Sequence, residues 1–80
     1  MIKNFGKNLR EKRIEKGWSL KKLADKANIH FTTINYYELN KREPTLLIAL
    51  KLANALDCSV YELCGMTDKE EAEAKLKEMG

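Results

Sequence analysis

The residues with the greatest capacity for chemistry lie together in a stretch of 17 residues, NIHFTTINYYELNKREP, from Asn28 to Pro44. Its hydroxyl, amide and aromatic side chains are followed by two basic residues, Lys41 and Arg42. Groups of these kinds form hydrogen bonds with base edges and neutralise phosphates. The sequence has no Ser/His/Asp set, no Cys/His pair at a plausible spacing, no glycine-rich phosphate loop and no clustered carboxylates on an inward stripe. The pattern favours a binding surface over an active site and predicts that the protein is not an enzyme.

Metal and cofactor binding have little support in the sequence. The two cysteines, Cys58 and Cys64, have five residues between them, a gap that fits no common zinc spacing, and His30 is far from both. Two cysteines are also too few to staple a small secreted protein. We therefore predict buried or half-buried reduced thiols, no metal, no cofactor and no small-molecule ligand.

The distribution of charge indicates an anionic partner more clearly than its sum does. Of 80 residues, 44% are apolar and 34% are charged, which is ordinary for one globular domain, and the net charge is +3. Residues 1–67 hold 12 Lys and Arg against 7 Asp and Glu, whereas residues 68–80 hold 3 against 5. A basic body with an acidic tail favours nucleic acid as the partner, but a solvated charged surface explains so mild an excess equally well.

The sequence predicts a cytoplasmic protein without a membrane partner. No apolar run approaches the roughly 20 residues that a membrane-spanning helix needs. The N-terminus also lacks a charged and then apolar leader with a small-residue cleavage site. Reduced thiols agree with a cytosolic location.

The elements that must position these residues are all predicted to be helices. Sustained alternation of apolar and polar residues is absent, and there is no Asn-Gly or Asp-Gly hairpin turn. Helical periodicity predicts helices over residues 3–16, 20–26, 31–39, 46–56 and 60–64. Ser19, Thr45 and Ser59 are the expected N-caps, and Gly17, Asn40 and Gly65 the expected stops. A sixth helix is expected after Thr67, which has a capping-box spacing to Glu70, but its apolar stripe is thin.

The second and third helices, joined by the three residues 27–29, form a helix-turn-helix unit, whose second helix can enter the major groove of B-DNA. At about 100° per residue from Ile34, Tyr37 and Glu38 fall on the inward side of this helix. Thr32, Tyr36 and Leu39 point away from the core, flanked by Thr33 and Asn35.

Two residues at the start of that helix have more than one possible role. Phe31 lies about 60° from Ile34, which leans it toward the core, yet the first turn is where its ring could contact a thymine methyl group. His30 occupies the N-cap, where imidazole can accept a hydrogen bond from a backbone amide or, when protonated, contact a phosphate.

The ordered motifs resemble the Cro/C1-type helix-turn-helix family, also called the Xre family, over about residues 5–63. The resemblance is carried by three segments: FGKNLREKRIEKGWSLKKLA, NIHFTTINYYELNKREP and ALKLANALDCSVYEL. It implies an all-α fold, a compact five-helix lambda-repressor-like domain over residues 1–66. Residues 67–80 then form a short, charged helical extension.

The family resemblance also implies roles for individual residues. Arg13 and Glu38 correspond to a pair that joins inside the domain in relatives, and Phe31, Thr32 and Tyr36 to positions that read bases. Asn35, beside them on the helix, is added as a base contact. Contacts to the DNA backbone are predicted for Lys21, Lys22, Thr33, Tyr37, Lys41 and Arg42. Three positions depart from the family pattern: Leu20 replaces a frequent Gln, Asn28 the usual Gly, and His30 a Ser or Thr.

Relatives usually dimerise, because one helix-turn-helix unit reads only a few base pairs. The candidate dimer surface consists of Ile48, Leu52, Ala55, Val60 and Tyr61, although these residues could instead pack beneath the C-terminal segment, itself a second possible dimer element. The sequence thus predicts a DNA-binding transcriptional regulator, a homodimeric repressor on a two-fold symmetric operator of double-stranded DNA. The alternative is a protein-interaction module, such as an antitoxin whose acidic tail wraps a partner.

Overall fold

The computed structural model describes residues 4–66 and 68–79, and this part of the chain holds helices and no strand. The helices are α1 (Phe5–Glu15), α2 (Leu20–Ala27), α3 (Phe31–Glu38), α4 (Leu46–Ala55), α5 (Val60–Leu63) and α6 (Asp68–Met79). The predicted all-α class is confirmed, and the predicted helices match the observed ones to within about two residues where they can be compared. Thr67, the predicted cap of α6, lies outside the described residues. No described helix is both long and apolar enough to cross a membrane.

Local capping explains where most helices begin. The Ser19 hydroxyl accepts from the Lys22 N–H at 3.1 Å, the Thr45 hydroxyl from the Ile48 N–H at 3.3 Å, and the Ser59 hydroxyl from the Glu62 N–H at 3.1 Å. Each bond satisfies an amide that has no partner within its own helix. The predicted N-caps are therefore confirmed.

Residues in the left-handed backbone region follow the helix ends. The predicted stops are found there, at Gly17 (φ 69°), Asn40 (φ 58°) and Gly65 (φ 75°), together with Asn28 (φ 56°). Glycine adopts this region without steric cost, and asparagine tolerates it better than most residues. Asp57 (φ 53°) also adopts this region after α4, a stop that was not predicted from the sequence.

The core draws one fully buried aliphatic side chain from each of the first five helices. These are Leu9, Leu23, Ile34, Leu52 and Leu63, all 0% exposed. Burying such a side chain stabilises a fold by roughly 1.5–3 kcal/mol. Because each helix contributes one, loss of any of the five helices from the bundle would open this cluster.

Leu52 corrects part of the predicted dimer surface. It lies on the core face of α4 with Ala49, Ala53 and Leu56, at the helical intervals i, i−3, i+1 and i+4. A side chain that is already fully buried has no surface left for a partner, so its assignment to the interface was wrong. The exposed leucines of α4 are instead Leu46, Leu47 and Leu50.

Two contacts of α1 hold the C-terminal ends of α3 and α5. A Cβ on Gly6 would collide with the carbonyl oxygen of Tyr37 and lie 2.9 Å from that of Glu38, so only glycine allows α1 to lie this close to the end of α3. Farther along α1, the Asn8 amide donates to the Leu63 carbonyl at 3.2 Å. Neither contact was predicted from the sequence.

The last helix is attached by polar groups. The Ser59 hydroxyl donates to the Glu71 carboxylate at 3.2 Å, and the Lys75 ammonium lies 5.8 Å from the centre of the Tyr61 ring. None of the described side chains of α6 is buried, and Leu76 is 67% exposed. The thin apolar stripe predicted for this segment agrees with its shallow docking.

Candidate nucleic-acid interface

The second and third helices form one rigid unit because their facing sides are apolar. Leu23, Ala24 and Ala27 of α2 are buried together with Ile34 of α3. Between the helices, left-handed Asn28 reverses the chain and the Ile29 N–H donates to the Ala24 carbonyl at 3.1 Å. Asn28 therefore performs the turn for which relatives use glycine.

The face of α3 that points away from the core remains accessible. Tyr36 is 38% exposed, and Thr32, Thr33 and Asn35 are half-buried. The opposite face carries Ile34, which is fully buried. The helical-wheel prediction of an inward and an outward face is confirmed.

Phe31 is not a core residue. Its side chain is 48% exposed, and its ring stacks on the His30 ring with the centroids 4.9 Å apart and the planes inclined by 22°. The structure thus removes the core alternative that the helical wheel favoured. Phe31 lies in the first turn of α3, where the helix extends beyond the core into which Ile34 packs. The angular position of Phe31 on the helical wheel therefore did not predict that its ring is exposed.

His30 caps α3. Its Nδ1 atom accepts from the Thr32 N–H at 3.2 Å, and its backbone is extended (φ −61°, ψ 137°), as an N-cap residue requires. Imidazole therefore performs the task that Ser or Thr performs in relatives, as predicted.

The end of α3 is held by the predicted ion pair. Arg13 Nε donates to Glu38 Oε2 at 2.8 Å, and a second guanidinium nitrogen donates to Oε1 at 3.0 Å. The two side chains are only 14% and 5% exposed. The hydrogen bond to Glu38 raises the pKa of Arg13 above its usual range. A further guanidinium N–H donates to the Trp18 carbonyl at 2.8 Å, so Arg13 joins α1, the following loop and α3.

The basic loop after α3 returns toward its exposed face. The Lys41 N–H donates to the Tyr36 carbonyl at 2.9 Å, which brings the next residue back along the helix. The Arg42 guanidinium then lies 5.6 Å from the centre of the Tyr36 ring, within the range of a cation–π contact. This contact was not predicted, because residues six apart across a helix end show no periodic signal.

A second pair of cations marks the start of α2. Lys21 and Lys22 are both exposed in its first turn, two and three residues after the Ser19 cap. Leu20, at the position where relatives often carry Gln, is partly buried against the core. The unusual leucine therefore serves packing, and the lysines remain as the polar groups of this turn.

Tyr37 packs its ring between α1 and α3. It is 5% exposed and meets Phe5 edge to face, with ring centroids 6.3 Å apart and an interplanar angle of 86°. Its aromatic surface is used between α1 and α3. Of the two roles considered, the structure supports the core role for the ring, and a contact of the hydroxyl with the DNA backbone stays a prediction.

The rest of the predicted dimer surface lies on α4 and α5. Ile48, Ala55 and Val60 are half-buried against the core, and Tyr61 is half-buried under Lys75. A more exposed apolar surface, Leu46, Leu47 and Leu50, lies on the same helix and was missed. The signal in the sequence is the helical spacing of the residues that are buried, Ala49, Leu52, Ala53 and Leu56. This spacing would have distinguished the core face from the exposed face of this almost wholly apolar helix.

The thiols are half-buried, as predicted, and both are free. Burial raises the pKa of Cys58, with Glu62 adding to the effect, and burial also raises the pKa of Cys64. A raised thiol pKa lowers the thiolate fraction at neutral pH and hence the reactivity. No cluster of three or more potential metal ligands occurs in the described part of the chain.

Comparison with known proteins places this geometry in a family. The helix-turn-helix family model HTH_3 matches residues 9–63. The chain is 32% identical to the HTH-type transcriptional regulator SinR of Bacillus licheniformis over 90% of its length, and 36% identical to the HTH-type transcriptional regulator ImmR of Bacillus subtilis (strain 168) over 78%. It spans 66% of SinR and 49% of ImmR.

Solved structures show the same fold. The restriction-modification controller protein C.AhdI from Aeromonas hydrophila matches with a TM-score of 0.74 and 37% identity, over 78% of this chain and 94% of that one. A SinR–SinI protein complex contains a chain that matches with a TM-score of 0.71 and 33% identity, over 90% of this chain and 66% of that one. The chain therefore belongs to the Cro/C1-type, or Xre, helix-turn-helix family.

Proposed function

We propose that the protein is a sequence-specific regulator of transcription that inserts α3 into the major groove of double-stranded DNA. The observation that carries this proposal is the arrangement of α3 itself. Its inward face is locked by Ile34 and by the Arg13–Glu38 pair, while its outward face is open. A rigid helix with a free polar and aromatic face is the geometry that reads base edges.

The outward side chains match the chemistry of base edges. The Thr32 hydroxyl can donate or accept, and the Asn35 amide offers the donor–acceptor pair that recognises adenine. Tyr36 adds a hydroxyl and an apolar ring at the exposed centre of the helix. These residues, with Phe31, are the proposed base contacts.

Two exposed basic pairs flank the helix and are the proposed contacts to phosphates. Lys21 and Lys22 start α2, and Lys41 and Arg42 follow α3, with Thr33 as an additional hydroxyl. Arg42 lies over Tyr36, so its ring-facing surface is occupied while the N–H groups at its rim remain suited to a phosphate. Each phosphate neutralised steepens the fall of log affinity with log salt by about 0.9.

We further propose that the protein binds as a homodimer in the cytoplasm and acts as a repressor. A single α3 covers only a few base pairs, and a two-fold pair of such helices reads half-sites about 34 Å apart. The half-buried Ile48, Ala55, Val60 and Tyr61 provide the proposed interface, with Leu52 beneath them as core. A repressor needs only to occupy its operator, which requires no catalytic residue.

Selection of bound sequences from a random double-stranded DNA pool tests the proposal. We expect an enriched two-fold symmetric site with half-sites about one helical turn apart. The double variant Thr32→Ala/Tyr36→Ala should lose the preference for this site while retaining weak, salt-sensitive binding. Failure to enrich any sequence at low salt would contradict DNA reading.

A charge-matched comparison tests the phosphate contacts. Lys21→Ala and Lys26→Ala each remove one exposed lysine from α2, but only Lys21 lies in its first turn. We expect Lys21→Ala to reduce the salt slope by about 0.9 for each half-site and Lys26→Ala to leave it unchanged. Equal effects would show general electrostatic attraction instead of a defined contact.

A protein-interaction module is the second candidate, favoured by the exposed Leu46, Leu47 and Leu50 and by the shallow docking of the acidic α6. If the double variant Thr32→Ala/Tyr36→Ala leaves all DNA binding unchanged and deletion of residues 68–80 abolishes capture of a protein partner, this candidate replaces the first. The opposite pattern supports DNA reading.

A further inference from the structure

The stacked rings of His30 and Phe31 form an exposed aromatic plate at the leading end of α3. The Phe31 ring is 48% exposed although it belongs to a helix whose next apolar residue, Ile34, is fully buried. Its contact with the His30 ring, at 4.9 Å and 22°, covers one face and leaves apolar surface toward solvent. An apolar ring held in this position has no evident role in folding.

The plate is held rigid by the helix cap. His30 Nδ1 accepts the Thr32 N–H at 3.2 Å, which fixes the imidazole relative to the backbone of α3. The imidazole in turn supports the Phe31 ring across their nearly parallel planes. Side chains ordered before binding lose less conformational entropy when they meet a partner.

We propose that this plate reads the C5-methyl group of a pyrimidine, an inference that rests on the proposed insertion of α3 into the major groove. The phenyl ring of Phe31 has no hydrogen-bond donor or acceptor, so it cannot recognise the polar groups of the base edges. The C5-methyl group of thymine is the apolar feature of the major groove, and 5-methylcytosine carries the same group at the same position. Phe31 would therefore set specificity for a methyl group, whichever pyrimidine supplies it.

This role differs from those of the neighbouring residues. Thr32, Asn35 and Tyr36 have polar groups that distinguish bases through hydrogen bonds, whereas Phe31 can distinguish thymine from uracil, which have identical hydrogen-bonding edges. Removing one buried methyl group should weaken binding about four-fold for each half-site. Such a difference is measurable even when every hydrogen bond is unchanged.

The experiment substitutes single groups of the DNA and uses the full chain. In the operator obtained by selection, each thymine is replaced in turn by deoxyuridine, and each cytosine by 5-methylcytosine, and dissociation constants are measured by fluorescence anisotropy. If thymine is the source of the methyl group, one deoxyuridine position per half-site weakens wild-type binding about four-fold. If methylated cytosine is the source, one 5-methylcytosine position strengthens it by a similar factor.

Two variants connect the effect to the plate. Phe31→Ala should bind the methylated and unmethylated forms of the responsive site equally, and Lys26→Ala, which changes an exposed residue outside the proposed contacts, should retain the difference at that position. His30→Ser replaces the imidazole cap of the Thr32 N–H with a hydroxyl cap and removes the supporting ring, so it should reduce the methyl preference without unfolding α3. Circular dichroism checks the helix content of each variant.

The outcomes separate this inference from the function on which it rests. Tight binding to a selected operator with no response to any methyl substitution would overturn the inference and leave DNA reading intact. A methyl response that persists in Phe31→Ala would also overturn it. Absence of any enriched operator would reject the proposed function, and this inference with it.

Discussion

Helices α3 and α6 show that length does not determine how firmly a helix is held. Helix α3 has 8 residues and buries Ile34 and Tyr37, and its end is held by an ion pair. Helix α6 has 12 residues, buries none of its described side chains and is attached through Ser59, Glu71 and Lys75. Isolated helices of either length are marginal in water, so packing decides their stability. The short helix is therefore the one that is held firmly by the core, as its proposed role in the major groove requires.

Truncation of one apolar side chain on each helix should produce the largest contrast. Ile34→Ala removes a fully buried side chain of the core, and we expect the free energy of unfolding to fall by about 4 kcal/mol. Leu76→Ala removes a side chain that is 67% exposed and should change it by less than about 0.5 kcal/mol. Urea denaturation followed by circular dichroism measures both. Similar losses for the two variants would show that α6 packs as firmly as α3.

The next effect concerns the ion pair at the end of α3. Glu38→Gln leaves the Arg13 guanidinium, 14% exposed, without its opposite charge and should cost about 3 kcal/mol. The double variant Arg13→Met/Glu38→Gln removes both charges and should be less destabilised than the sum of Arg13→Met and Glu38→Gln measured separately.

The corresponding test on α6 is Lys75→Ala, which breaks its bond to Glu71. Both partners there are more exposed, at 56% and 27%, so we expect a change below about 0.5 kcal/mol. Additive losses in the Arg13–Glu38 cycle, or an equal loss at Lys75, would contradict the contrast between the helices.

A smaller loss is expected from filling the contact between α1 and α3. Gly6→Ala places a Cβ against the carbonyls of Tyr37 and Glu38, backbone atoms that cannot rotate away, and should cost about 2 kcal/mol. Gly17 provides the control, because its φ of 69° requires a left-handed backbone but no atom lies within 4 Å of the place that a Cβ would occupy. Gly17→Asn should therefore be tolerated better than Gly6→Asn in thermal denaturation. Equal tolerance would show that α1 can withdraw from α3 without cost.

Local signals in the sequence predicted the helices, their caps and the two faces of α3. The capping hydroxyls accept hydrogen bonds from amides only three residues away, so the local sequence is enough to predict where these helices begin. The capping residues are Ser19, Thr45 and Ser59. Contacts between distant segments lack such a signal. The close approach at Gly6 and the bond from Asn8 to α5 depend on how the helices pack, and the contact of Arg42 with Tyr36 depends on how the chain turns after α3.

One error in the candidate site has a clear physical origin. Leu52 was assigned to a binding surface because it could lie at the edge of its helix, but neighbouring helices cover it completely. The Arg13–Glu38 pair was predicted correctly because the family resemblance supplied the missing long-range information. Helical periodicity gives the direction of a side chain and not the depth of its surroundings.

Deletion of residues 68–80 is the largest change to the chain, but we expect it to have the smallest effect on stability. The Ser59 hydroxyl accepts from the Glu62 N–H and also donates to Glu71, and deletion removes only the second bond. We expect the free energy of unfolding to change by less than about 0.5 kcal/mol, whereas Ser59→Ala removes the cap of α5 and should cost about 1 kcal/mol. Loss of one capping oxygen should thus cost more stability than loss of the whole of α6. A deletion that costs more than about 2 kcal/mol would place α6 in the folding unit, and sedimentation of the truncated chain would then show whether it also holds the proposed dimer together.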